Sequence, residues 1–373
     1  MNRKKLIAFS LSLAMTVVPV TPAAAAWAEQ NTEGLQNAVL DLEFENSLED
    51  SSGKGNNGTL SSGEAEYVDG VVGKGLKMNG SSYVNLGNST DLQPENLTLS
   101  FWIRPDSDMK GEELLSWNKN EWYTDGWYLS SENDNTPLML SVGPAKANGQ
   151  PYRVSVSGKR SEFLPTGEWT HIAVTYDKDS KEICFYRNGV KCSTVTTYGI
   201  SGESTGVLGS DATMEKSIGY NGPKYKGAYL KASLDEYQLY NDVATPEEVI
   251  ALYEESGQTF DRKAVAQADL DKISIPETTQ ENLSLPTTGE SGSVISWSSD
   301  NEAVVAADGT VVRPGVGEKD VTVTLTAEAS YLNGEKVTKT YKVTVTAKQE
   351  INITTSSIMG DVTLEDDYLV NAA

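Results

Sequence analysis

The sequence predicts an all-β chain, a larger antiparallel β-sandwich followed by a smaller immunoglobulin-like one. Three observations carry this expectation. From Val39 to about Tyr240, short runs such as 97–103, 171–176 and 183–187 alternate apolar and polar residues and are broken by Gly, Asn, Asp and Ser. Asn188-Gly189 lies between two of these runs, and both residues accept the positive φ of a tight hairpin turn. From about Arg262 the pattern returns in 293–297, 320–326 and 340–346, rich in Val, Thr and Ile.

Taken in order, the chain of 373 residues opens with a secretory leader at 1–26. Arg3, Lys4 and Lys5 form its basic start, 6–20 its apolar run, and Ala26 or Ala28 its cleavage site. The apolar run is short for a membrane span, so export without membrane insertion is expected. Residues 31–257 form the first domain, closed by one helix. There Thr245 and Glu248 make a capping box, Pro246 takes the first helical position, and Gly257 marks the end. Residues 262–347 form the second domain. Residues 349–373 read as the opening of a further domain cut short, their last residues as a helix beginning.

Charge and composition narrow the function. The chain carries 53 acidic against 30 basic residues, a net charge of −23, and removing the leader deepens this to −26. Neither nucleic acid nor an anionic membrane surface is expected as a partner, because such binding needs clustered Lys and Arg. One histidine cannot build a three-His zinc site. His171 alternates with Ile172 and Val174 and reads as a packed strand residue. Cys184 and Cys192 bracket the hairpin turn: a three-residue loop would set them opposite for a disulfide, a two-residue loop on opposite faces. Leu285-Pro-Thr-Thr-Gly289 spells a sortase pattern, but a β domain follows it, so a loop is expected.

Trp117, Trp122 and Trp127, with Tyr123 and Tyr128, crowd one stretch among Asn118, Asn120, Glu121 and Asp125. Aromatic planes with amide and carboxylate neighbours suit a sugar, whose C–H faces stack while its hydroxyls need polar partners. The ligand-binding candidates are Asn120, Trp122, Tyr123 and Trp127, with Tyr220 and Tyr225 on a second loop. Trp117 and Trp127 also fit inward-facing strand positions. Asp41, Glu43 and Glu45 would share one strand face about 6.5–7 Å apart, which admits a glycosidase alternative.

Several segments resemble the laminin-G-like, concanavalin A-like jellyroll modules of secreted bacterial glycosidases. They are 42–58, 70–76 with 83–86, 99–105, 169–177, 187–190 and 232–240. The second domain resembles the atrophied bacterial immunoglobulin-like spacers through 295–301 and 309–314, and the tail is similar to the start of a beta-L-arabinofuranosidase domain. The resemblance implies a jellyroll and a structural calcium held by Glu45, Asp50, Asn57 and Asp235. It also implies a non-catalytic, monomeric, carbohydrate-binding accessory region that places a downstream enzyme on polysaccharide. An adhesion module for protein is the alternative from another class.

Overall fold

A computed structural model describes residue 35 and residues 38–106, 113–119, 126–143, 152–193, 195–198, 215–220, 229–353 and 368–372. The leader lies outside them. The chain divides into Met1–Gln36 and Asn37–Ala373, and the second unit holds every strand and helix named below.

The alternating runs assemble into two eight-stranded sheets. The first sheet runs β13 (Val190–Lys191), β12 (Ile183–Arg187), β11 (Thr170–Tyr176), β6 (Leu97–Pro105), β16 (Lys231–Tyr240), β4 (Lys74–Asn79) and β3 (Glu66–Asp69), with β1 (Ala38–Leu42) also paired to β16. The second runs β14 (Val195–Tyr198), β10 (Tyr152–Val156), β9 (Met139–Val142), β8 (Gly126–Ser131), β7 (Glu113–Lys119), β15 (Ser217–Ile218), β5 (Val84–Asn85) and β2 (Thr59–Leu60). Leu40, Leu76, Phe101, Ile172 and Leu234 of the first sheet share one core with Val84, Trp127, Leu129, Leu140 and Val154 of the second.

Strands β6 and β11 are buried along almost their whole length, because their outer face is also covered. The short helix α1 (Arg160–Phe163) precedes β11, and α2 (Pro246–Glu255) follows β16. Tyr253 of α2 stacks on Trp102 at 5.5 Å and meets His171 edge-on at 5.7 Å. His171 is packed as expected, with Nε2 2.9 Å from Ser100 Oγ. The capping box of α2 forms, and Gly257 at φ 80° follows its end.

A further helix, α3 (Arg262–Lys272), lies where only strands were expected. Asp261 caps it by accepting from Ala264 N–H at 2.9 Å. Ala266 and Leu270 pack on Ala327, Ala329 and Tyr331, together with Ile250 and Phe260 from the end of the larger domain. The smaller domain's sheet runs β17 (Thr278–Thr279), β20 (Val337–Val345), β19 (Val321–Ser330) and β18 (Val294–Ser299). The 285–289 pattern is a loop ahead of β18, as expected, held by Trp297 Nε1 donating to the Pro286 carbonyl at 2.9 Å. The tail departs from expectation. Its last described run is a strand, β22 (Tyr368–Ala372), paired in parallel with β21 (Gln349–Ile353) rather than a helix. Leu-Val-Asn does not discriminate the two states without its partner.

The hairpin settles the cysteines. Arg187 pairs with Val190 and Tyr186 with Lys191, so the loop has two residues, with Asn188 at φ 49° and Gly189 at φ 79°. Cys192 donates its N–H to the Phe185 carbonyl and packs toward the core, whereas Cys184 Sγ faces Glu182 Oε1 at 3.2 Å. Both thiols are free. Adding a reductant is therefore expected to shift the melting temperature by less than about 1 °C in calorimetry, because no loop constraint is released.

Candidate functional site

Cross-strand partners share a sheet face, so the register of the second sheet can be followed from edge to edge. Thr59 pairs with Asn85, Asn85 with Ser217, and Ser217 with Trp117. Trp117 pairs with Tyr128, Tyr128 with Ser141, Ser141 with Arg153, and Arg153 with Tyr198. Every position in this row is polar or aromatic, while the neighbouring Val84, Ile218, Leu129, Leu140 and Val154 enter the core. At the usual strand spacing the row is roughly 34 Å long.

The centre of the row is buried at Ser217, Tyr128 and Ser141; Thr59 is exposed, and Asn85 and Arg153 are half-buried. Ser141 Oγ has no hydrogen-bond partner among the described residues. At the Asn85–Ser217 end, Tyr220 stacks on Tyr83 and on Tyr229, each at 4.8 Å.

Tyr220 is thus the ligand candidate that the structure places in an aromatic cluster. Trp127 is a correction: it is 1% exposed and lies in the core between the sheets, because β8 turns Trp127 and Leu129 inward and Tyr128 outward. Asn120, Trp122, Tyr123 and Tyr225 lie outside the described residues. Reading the chain alone missed Tyr83, Ser141, Arg153 and Tyr229. The alternation in Tyr152–Val156 hinted at Arg153, but only the cross-strand register joins it to Tyr128.

The calcium candidates divide into two pairs. Asp50 staples its own loop: Oδ1 accepts from Asp41 N–H (3.0 Å) and Ser52 N–H (2.9 Å), and Oδ2 from Ser52 Oγ and Asn56 N–H (both 2.8 Å). Burial pushes its pKa up, but these hydrogen bonds outweigh that and hold it below the ordinary value. Asn57 Oδ1 accepts from Asp50 N–H at 2.8 Å.

Glu45 and Asp235 meet instead at the turn 70–73. Asp235 Oδ2 accepts from Val71 N–H (2.7 Å) and Val72 N–H (3.0 Å), and Glu45 Oε1 from Lys74 N–H (3.2 Å). A Cβ at Gly70 would strike Asp235 and one at Gly73 would strike Glu45, so both carboxylates need bare glycines there. Burial, with the charge of Glu45 in addition, pushes Asp235 up to about 6. A buried acid beside a second acid is what a hard cation relieves. On side chains the fit to calcium reaches these two residues; among the described residues no group of three or more His, Cys, Asp and Glu is arranged for a metal.

The glycosidase alternative loses its geometry. Strand β1 stops at Leu42, and Phe44 and Asn46 take φ 54° and 53°, so Asp41, Glu43 and Glu45 do not line one strand face. Phe44 is instead driven into the core.

No helix among the described residues is long and apolar enough to cross a membrane. An alpha-L-arabinofuranosidase of Bifidobacterium longum subsp. longum is 36% identical over 126 residues, covering 27% of this chain and 12% of that protein. The chain therefore spans only a small part of that relative. Domain 4 of AbnA, a GH43 extracellular arabinanase from Geobacillus stearothermophilus solved with arabinotriose, is similar at 23% identity and a TM-score of 0.43, over 59% of this chain and 100% of that one. The binding domain of Paraclostridial Mosquitocidal Protein 1 is similar at 23% identity and 0.46, over 59% and 52%. Residues 78–250 match the model of the Concanavalin A-like lectin/glucanases superfamily, and residues 263–348 that of the atrophied bacterial Ig domain. The chain thus carries a concanavalin A-like lectin/glucanase domain followed by an atrophied bacterial immunoglobulin domain.

Proposed function

We propose that this chain is an exported, non-catalytic carbohydrate-binding region that serves a polysaccharide-degrading glycoside hydrolase. The observation that carries the reading is the transverse row, where the exposed Thr59 hydroxyl and the half-buried Asn85 amide and Arg153 guanidinium stand on one sheet face, with the aromatic cluster of Tyr220 beside it. Sugars need that mixture of aromatic planes and polar partners. The kinship with an arabinofuranosidase makes arabinose-containing polymers the first substrates to try. Binding would act by tethering, raising the effective concentration of polysaccharide at a linked active site. Asn120, Trp122, Tyr123 and Tyr225 belong to this proposal as further ligand contacts.

Calcium belongs to it as a structural ion. Glu45 and Asp235 would hold it, with Asp50 and Asn57 shaping the adjoining loop. The ion would neutralise two converging acids and brace the turn 70–73.

Titration calorimetry of the whole chain with arabinotriose and longer arabinan oligosaccharides, with calcium and with EDTA, tests the reading. Arg153→Ala is expected to weaken binding about tenfold or more, the worth of one hydrogen bond from a charged donor. Release of reducing sugar by the purified chain would overturn the non-catalytic part. A chain that binds no glycan but captures protein would favour adhesion instead.

A further inference from the structure

Tyr83 precedes β5, Tyr220 follows β15 and Tyr229 precedes β16, so a strand end at Tyr83 converges with two neighbouring ones far along the chain. The Tyr83–Tyr220 centroids are 4.8 Å apart at 14°, Tyr220–Tyr229 4.8 Å at 17°, and Tyr83–Tyr229 6.4 Å at 19°. The three rings therefore share nearly one orientation and overlap with an offset, the favoured stacking arrangement. Tyr128, Tyr176 and Tyr237 of this domain are at most 1% exposed, whereas these three are half-buried, as are Tyr67 and Tyr152 at the core's margin.

The backbone beneath them is fixed. Tyr83 N–H donates to Ser61 Oγ at 3.0 Å, Ser61 N–H returns to the Tyr83 carbonyl at 2.9 Å, and Ser217 Oγ donates to the Tyr220 carbonyl at 3.1 Å. Glu215, an exposed acid, stands close enough to add its charge to burial in raising the Tyr83 phenol.

We propose that Tyr83, Tyr220 and Tyr229 form an aromatic platform for the apolar face of a neutral sugar ring, extending the row at its Asn85–Ser217 end. This rests on the proposed carbohydrate function and names the ligand class within it. The C–H face of a furanose or pyranose lies against the phenol rings, while its hydroxyls meet Ser61. Uronate-bearing glycans are disfavoured, because the chain carries a net charge of −23.

The test is calorimetric titration of the whole chain with arabinotriose, cellotriose and trigalacturonate, alongside NMR of the tyrosine ring protons. Wild type is expected to bind a neutral trisaccharide, shift the tyrosine resonances, and ignore trigalacturonate. Tyr220→Ala should weaken binding about tenfold, and Tyr220→Phe by less than about threefold, since the ring is retained. The ring shifts are read on wild type, so they report contact even if Tyr220→Ala fails to fold. Unshifted tyrosines, wild-type affinity in Tyr220→Ala, or equal binding of trigalacturonate would overturn the platform. If Arg153→Ala weakens binding while Tyr220→Ala does not, the carbohydrate reading stands and the platform falls. Binding of none of the probes by wild type would overturn both.

Discussion

Trp127→Ala is expected to lower the unfolding free energy of the larger domain by about 3–5 kcal/mol, the range for truncating a buried aromatic. Trp127 is 1% exposed on β8, in the interior of the second sheet, and packs between the two sheets with Leu129 and Leu140. Its Nε1 has no hydrogen-bond partner among the described residues, so the loss is one of packing and cavity formation. For a domain of this size the melting temperature should fall by roughly 10 °C. In urea the midpoint should drop with an unchanged slope. A loss below about 1 kcal/mol would mean that the indole does not fill the core and would restore it as a ligand residue.

His171 is expected to make the domain acid-sensitive. Burial alone pushes its pKa down from 6.5 to about 3, against Trp102, Tyr253 and Ser100 Oγ. The unfolded chain binds a proton near pH 6.5 that the folded chain refuses until about 3. Its contribution is therefore complete above 6.5 and is lost as pH falls between those values. From pH 7 to 4.5 the loss is ~3 kcal/mol, at about 1.4 kcal/mol for each pH step below 6.5.

Asp235 runs the other way. Raised from 3.8 to about 6, it favours the folded state below 3.8 and loses that contribution as pH rises to 6. The two titrations overlap, so the measurement is a difference: urea unfolding at both pH values, wild type against His171→Gln, in EDTA. The gap between the two proteins should close by ~3 kcal/mol on acidification. A gap independent of pH would show that His171 is not held neutral by burial.

Much of the architecture was legible locally. Period-two alternation located 97–103 and 183–187 because a strand's two faces meet different surroundings at every residue. Asn188-Gly189 and the Thr245/Glu248 box were legible because each satisfies its own backbone within four residues. Helix α3 escaped because half of its stripe is alanine, which carries little apolar signal until it meets Ala327 and Tyr331. The tail strand escaped because β22 has no pattern apart from its partner β21.

The candidate site was less legible, for a related reason. Aromatic richness pointed to Trp127, yet one step of strand parity sends Trp127 to the core and Tyr128 to the row. Acid spacing suggested a shared face for Asp41, Glu43 and Glu45, yet positive φ at Phe44 ends the alternation.

By itself the sequence determined what adjacent residues decide: two β domains, the hairpin, the capped closing helix, and a charge of −23. Only the tertiary structure decided which residues stand together. Arg153 joins Tyr128 through β9, Asp235 meets Glu45 at a turn about 165 residues upstream of it, and Tyr83 stacks on Tyr220. These pairings depend on interstrand register, which is set by the whole sheet's burial of one face and cannot be read from either strand alone.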